Sequence, residues 1–510
     1  MPAGPGRPRP VIAVATLMVV VGIAGALSLV GPAPGKVVES PRLDSPGTSV
    51  AGASDLPSPA SNSAPSGQTG TNSGGAPAAP TAGNSESSIP LDPASNGRIA
   101  IVDAAGTLFS VAPDGTDRRQ LGTPGRPVIF PAWSPDGQRL AAIGADNAPG
   151  VYVFTDRTGT AIVGPLGTGP STAPIYLAWS PSGTSIAYLA NQPPTLALHI
   201  VAIDGTTFGR DRVIRTGQPM YWAWAADSGS LLVHAGQLGA DEFTGHLDVS
   251  GGAVGAAIPS AGPFGAPGIS RAGDLESYAT QTAGGDTQLV LAGTRAGAGV
   301  ALRVPGAVRL GVDPTGAGVA WISAAQPGAS PTGPMHLLDA ASGSDRVLVA
   351  DAVVAFFWSP DGRHIAVLTT ISPGSGAASA RVGEMPAIVA TSHLGGAAPA
   401  TADGEAAREA AAAWGPRLTA AAPSLRVTVV DVNTGDVTVL AELSPAPLFA
   451  AQFLPFFDQY AASHSIWSPH SDAIVLPAID DAGQAHISVV PIDGRSPLRI
   501  ADGVLATWSP

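Results

Sequence analysis

Beyond residue 97 the chain is written as short apolar runs separated by polar, turn-forming strings. Leu140-Ala141-Ala142-Ile143, Ile186-Ala187-Tyr188-Leu189 and Ile365-Ala366-Val367-Leu368 have no polar face, the pattern of strands covered on both sides. Each follows a near-identical string: Ala132-Trp133-Ser134-Pro135-Asp136-Gly137, Ala178-Trp179-Ser180-Pro181-Ser182-Gly183 and Phe357-Trp358-Ser359-Pro360-Asp361-Gly362. Shorter copies stand at Ile466-Trp467-Ser468-Pro469 and Thr507-Trp508-Ser509-Pro510. Pro has the fixed φ of the second position of a type I turn and Gly suits the fourth, so the string ends one strand and begins the next. Among weaker copies, Trp224-Ala225-Ala226-Asp227 keeps the Trp and Val312-Asp313-Pro314-Thr315-Gly316 keeps the turn. Ile269-Ser270-Arg271-Ala272-Gly273 keeps little beyond position and Gly. The copies recur about every 45 residues, the length of one four-stranded propeller blade, with one longer interval between Trp358 and Trp467.

A second signal falls midway through each unit, at Asp114-Gly115, Asp156 to Gly159, Asp204-Gly205, Asp248 to Gly251, Asp339 to Gly343, Asp431 to Gly435 and Asp493-Gly494, with Arg295-Ala296-Gly297 lacking the Asp. These are hairpin turns between β-rich runs. Both signals predict an all-β propeller of eight blades over 97–510; seven follows if the weak unit around 269–297 is miscounted. Trp133, Trp179, Trp224, Trp358, Trp467 and Trp508 form the structural repeat, large rings suited to the space between blades. Arg98-Ile99-Ala100-Ile101-Val102 matches the strand after a motif that it lacks, and Trp508-Ser509-Pro510 is a motif with no strand after it. The two fragments complete one blade, so a C-terminal strand is expected to close the ring and remove its open edges.

The N-terminal region reads differently. Arg7 and Arg9 precede residues 11–30, an unbroken run of apolar or small residues long enough to span a bilayer core. The charge asymmetry predicts a cytoplasmic segment 1–10, an anchor at 11–30 and everything after it outside. A cleaved signal peptide is the rival, with Ala24-Gly25-Ala26 as an acceptable small-x-small site. Residues 31–96 are dominated by Pro, Ser, Gly, Ala and Thr, which cannot bury a core and predict a disordered stalk.

Composition narrows the chemistry. A formal charge of −13 leaves no cationic surplus to neutralise phosphates, which argues against nucleic-acid binding. The chain has no Cys, hence no disulfide, thiolate metal site or Cys nucleophile. The Trp-Ser-Pro-Asp-Gly repeat followed by a short apolar strand resembles the TolB-like propeller repeat, the WD40-like (PD40-type) unit of bacterial envelope proteins, over about 98–510. That resemblance implies the fold; the family includes protein-binding envelope components, propellers attached to peptidases and some polysaccharide lyases, so it does not fix a function. The family's namesake carries a separate N-terminal α/β domain, where this chain has the anchor and stalk.

No catalytic, cofactor or metal constellation emerges. Gly-x-Ser-x-Gly, the mark of an attached peptidase domain, does not occur, and the nine His residues are scattered. His199, His336 and His486 fall in different registers relative to the hairpin Asp residues. Asp136, Asp204, Asp361 and Asp493 read as turn formers rather than ion ligands. The leading expectation is a binding or scaffold module whose partner is a protein, peptide or envelope polymer outside the membrane. A polysaccharide-acting enzyme with an axial site, or a purely structural envelope component, are the alternatives. A deep axial pocket of converging polar residues would favour the enzyme, and a plugged axis the binder. The candidate binding face lies in the long interval. An insertion at 372–424, with a short helix near 405–414 that ends in Trp414, should project beside the connection 442–463, which carries Phe449, Phe453, Phe456, Phe457 and Tyr460. Rings displayed there would make a recognition surface; rings folded inward would cap the axis.

Overall fold

The computed structural model describes residues 97–510 apart from 123–125, 146–148, 156–160, 167–171, 205–206, 237–241, 259–264, 298, 325–330 and 372–423. The expected anchor 11–30, stalk 31–96 and helix near 405–414, with Trp414, lie outside the described residues. Among the described residues no helix is long and apolar enough to cross a membrane.

The described chain is almost entirely antiparallel sheet, with strands paired in chain order. Val128–Trp133, Arg139–Gly144, Val151–Thr155 and Ala161–Leu166 form one meander; Met220–Trp224, Ser230–Ala235, Phe243–Asp248 and Ala253–Ile258 form another. Gly268–Ile269, Glu276–Gln281, Thr287–Ala292 and Val300–Val304 form a third. In a further sheet Pro174–Trp179 and Ser185–Gln192 lead to Thr195–Asp204, which pairs with both Thr207–Phe208 and Arg212–Gly217. The strands from Val308–Val312 to Leu498–Asp502 are joined in one ten-stranded sheet. Leu505–Trp508 pairs with Ile99–Val102, Ile99 opposite Trp508 and Val102 opposite Leu505. Successive four-stranded meanders of this kind are the propeller architecture.

The repeated string folds as its residues require. In the first copy the Gly137 N–H donates to Ser134 O at 2.8 Å, with Gly137 at φ +65°, a conformation that a side chain would strain. The Ser134 hydroxyl donates to Asp136 and accepts from the Arg139 N–H at 3.0 Å. Ser359 and Ser468 repeat the arrangement, the latter with Asp472 as the carboxylate. So does Ser270, with Asp274, Leu275 and Gly273 in the same roles. The copy at 269–273 is therefore a full turn, disguised in sequence because its Asp has moved two places along.

The motif indoles do more than fill space. Trp133 Nε1 donates to Thr507 O at 3.2 Å, Trp179 to Ala132 O at 3.0 Å and Trp224 to Ala178 O at 3.4 Å. Trp358 donates to Gly311 O at 2.8 Å and Trp467 to Phe357 O at 2.9 Å. Each acceptor is the residue just before the motif Trp, or before Val312 in its place, in another copy of the repeat. One side chain thus seals the apolar seam and ties two backbones together.

Candidate functional site

After Val437–Pro445 the chain leaves the sheet and turns inward. Phe449–Phe453 is π-helical, Leu454–Phe456 a 3-10 turn and Phe457–Tyr460 one α-helical turn. The segment is apolar on nearly all sides, and such a helix is stable only when buried. Phe449, Phe453, Phe457 and Tyr460 are buried and Phe456 half-buried. The connection 442–463 therefore does not project as an aromatic display face; its rings fold inward.

The segment reaches the first strand of one sheet after another. Tyr460 stacks on Phe130 at 5.0 Å and meets Tyr176 edge-on at 5.3 Å. Phe457 packs edge-on against Phe356 and Phe357, and Phe456 against Tyr221. Gln459 clamps Trp222 at both ends: its Oε1 accepts from the Trp222 N–H at 3.0 Å and its Nε2 donates to Trp222 O at 3.1 Å. Asp458 accepts from the Ala266 N–H at 3.2 Å and pairs with Arg309 Nη1 at 3.1 Å. Ser465 O accepts from the Trp508 N–H at 2.7 Å, and the Ala446 N–H donates to Pro477 O. Strands from Val128–Trp133 to Leu505–Trp508 thus converge on residues 446–465, which pack between them as a plug.

The polar groups of this plug are satisfied in a directed chain. Gln459 Nε2 donates to the Tyr176 hydroxyl, which donates to Ser463 Oγ at 2.8 Å. Ser463 Oγ lies 2.7 Å from His464 Nδ1, and His464 Nε2 lies 3.2 Å from Phe130 O. A carbonyl can only accept, so Nε2 carries the proton; burial keeps the ring neutral, which leaves Nδ1 to accept from Ser463. Burial pushes the His464 pKa down to about 4, opposed weakly by Phe130 O. Burial raises the Tyr176 and Tyr460 hydroxyls far above their ordinary range, and does the same to Tyr221 with the help of the Asp458 charge. Burial pulls Arg309 down, yet Asp458 more than offsets it. Groups so engaged hold the plug in place.

Outside the plug, sequence reading missed a recurrence. His199 stacks on Tyr188 at 4.5 Å with Nδ1 3.1 Å from Asp211, which also accepts from the Tyr188 hydroxyl. His336 stacks on Trp321 at 4.3 Å with Nδ1 2.8 Å from Asp345, which accepts from Trp321 Nε1. Each set takes its aromatic from a second strand, its His from a third and its Asp from the approach to a fourth. The registers of these His residues differ only if counted from the hairpin Asp; counted from Asp211 and Asp345 they match in role. His486 is different, with Gln484 O at 3.5 Å. The hairpin carboxylates Asp114, Asp248, Asp339, Asp431 and Asp493 accept backbone N–H groups two or three residues on, as Asp136 and Asp361 do. Among the described residues no cluster of His, Asp or Glu is arranged to hold a metal ion.

No family model matches the chain, and no curated protein matches it. Among solved structures it is similar to TolB from Acinetobacter baumannii, at 15% identity over 81% of this chain and 67% of that one, with a TM-score of 0.35. It is similar to an oligogalacturonate lyase from Vibrio parahaemolyticus, at 10% identity over 80% and 86% with a TM-score of 0.40. A eukaryotic initiation factor matches at 11% identity over 81% and 98% with a TM-score of 0.47.

Proposed function

We propose that this chain is a membrane-tethered, extracytoplasmic β-propeller that acts as a non-catalytic binding or scaffold module for a protein, peptide or envelope polymer. The observation that carries this reading is the plugged axis. An axial catalytic site would need polar side chains from several strands to converge on an open pocket; here the converging groups are spent on residues 446–465. The tether and outward orientation rest on residues 7–30, and the stand-off on the Pro- and Ser-rich stretch 31–96.

The ring proposed is closed and has eight blades. The ten-stranded sheet supports three of them, because Asp345–Trp358 serves two: its first half pairs through Val347 and Val349 with Gly333–Asp339, and its second half through Phe356 and Trp358 with His364–Thr370. The last blade takes its inner strand from the Trp467 bridge to Ile474. The pairing of Ile99–Val102 with Leu505–Trp508 supports closure.

Capture of a partner by the full chain on intact cells, run beside assays for cleavage of envelope polysaccharides, tests the function. Saturable retention of one partner at fixed stoichiometry without polymer cleavage is expected. Turnover of any polymer would replace the scaffold reading with the enzymatic one.

A further inference from the structure

The third-to-fourth connection on Thr195–Asp204 is longer than a tight hairpin. It pairs Thr207–Phe208 back onto the end of that strand, and the Gly209 N–H donates to Ala202 O, before the chain enters Arg212–Gly217. The excursion delivers Arg210, Asp211 and Arg212 in succession. Asp211 is turned to one side of the sheet, where Tyr188 and His199 engage its carboxylate. Arg210 and Arg212 go to the other side and line a cavity of about 330 Å³ against the turn of the next sheet. Its floor is Ile200, Ala202 and Val249, with Ser185 opposite Ala202 in the strand register.

We propose that this crevice is an anion-binding site for a phosphoryl group. In a chain of charge −13, many Arg side chains are paired with carboxylates, as Arg295 is with Asp274 and Arg499 with Asp480. Arg210 makes no hydrogen bond or ion pair among the described residues, and Arg212 donates to a backbone carbonyl, Val249 O, at 3.0 Å. Asp211 is engaged on the far side of the sheet, and Asp248 by Ser250 and Gly252. Two guanidinium forks match the charge of a phosphoryl dianion and can each bind it through two N–H groups, while the Ser185 hydroxyl supplies a further donor.

The proposal adds a ligand chemistry to the binding module and rests on that reading only for its setting, since a failed phosphate titration leaves partner capture untouched. Titration calorimetry of the full chain with inorganic phosphate should show one saturable, salt-sensitive site. The R210Q/R212Q double variant should lose at least about tenfold in affinity with an unchanged unfolding midpoint, and R210K/R212K should recover only part of it, because ammonium groups cannot bind bidentately. A phosphodiester polymer forms the second arm. Tighter binding of the polymer, lost in the double variant, would place the phosphoryl group on an envelope polymer; binding of free phosphate alone would identify the small ion. Absence of saturable binding of either probe, or equal binding by the double variant, overturns the proposal.

Discussion

Asp458 is the residue on which the plug's electrostatics turn. Its side chain is fully buried and Arg309 is nearly so, and a buried charge that loses its partner is costly where a pair replaced together is not. Asp458→Asn should therefore lower stability by about 3–5 kcal/mol, and adding Arg309→Met should restore part of that; denaturant titration of both variants checks the sign of the coupling. His464 gives a pH signature. Its folded-state pKa is about 4, as is that of buried His234, against an ordinary value near 6.5, so the unfolded chain takes up these protons first. Stability should fall as pH drops from about 6.5 to about 4 and level off below, each group contributing about 3 kcal/mol. His246, raised by its hydrogen bond to Glu276, acts oppositely: its contribution is present at acid pH and fades as pH rises through its raised value. Thermal melts between pH 4 and 7 should show the net decline, roughly halved in His464→Gln. None of this was legible in sequence, where Asp458 and His464 are two polar residues in an aromatic stretch and their partners Arg309, Ala266 and Phe130 lie 149, 192 and 334 positions away.

At the scale of the element, local and distant information separate cleanly. The Ser-Pro-Asp-Gly turns, the apolar strands after them and the hairpin Asp residues were readable because each is fixed by bonds within a few residues. The aromatic connection was not, because five rings look the same whether displayed or buried; only the volume left on the axis decides, and that is a property of the assembled sheets. The structure makes the two Phe residues separable. Phe457→Ala, which empties a buried site between Phe356 and Phe357, should cost about 3–5 kcal/mol. Phe456→Ala, half-buried against Tyr221, should cost markedly less. Equal, small losses by chemical denaturation would return these rings to the surface. A motif indole can be tested by Trp467→Phe, which keeps most of the packing but leaves Phe357 O without its donor, at about 1–3 kcal/mol.

For the whole molecule, the pairing of Ile99–Val102 with Leu505–Trp508 makes the two ends of the described chain parts of one sheet. Deleting residues 505–510 should lower the unfolding midpoint of the entire domain in a single transition, because it opens two edges at once; a midpoint unchanged by calorimetry would rule out closure. The position of the plug along the chain has a consequence for biosynthesis. The Arg98 N–H is bonded to Ser509 Oγ across a separation of 411 residues, and His464 to Phe130 across 334. Such contacts close slowly, because long loops must be ordered first. As the ribosome delivers the chain from its N-terminus, the apolar residues of the early sheets that pack on residues 446–465 stay wet until that segment arrives, and Ile99–Val102 lacks its partner strand until residues 505–508 follow. A product truncated before residue 446 presents sticky strands and a free edge together, the combination that quality-control proteases and chaperones recognise.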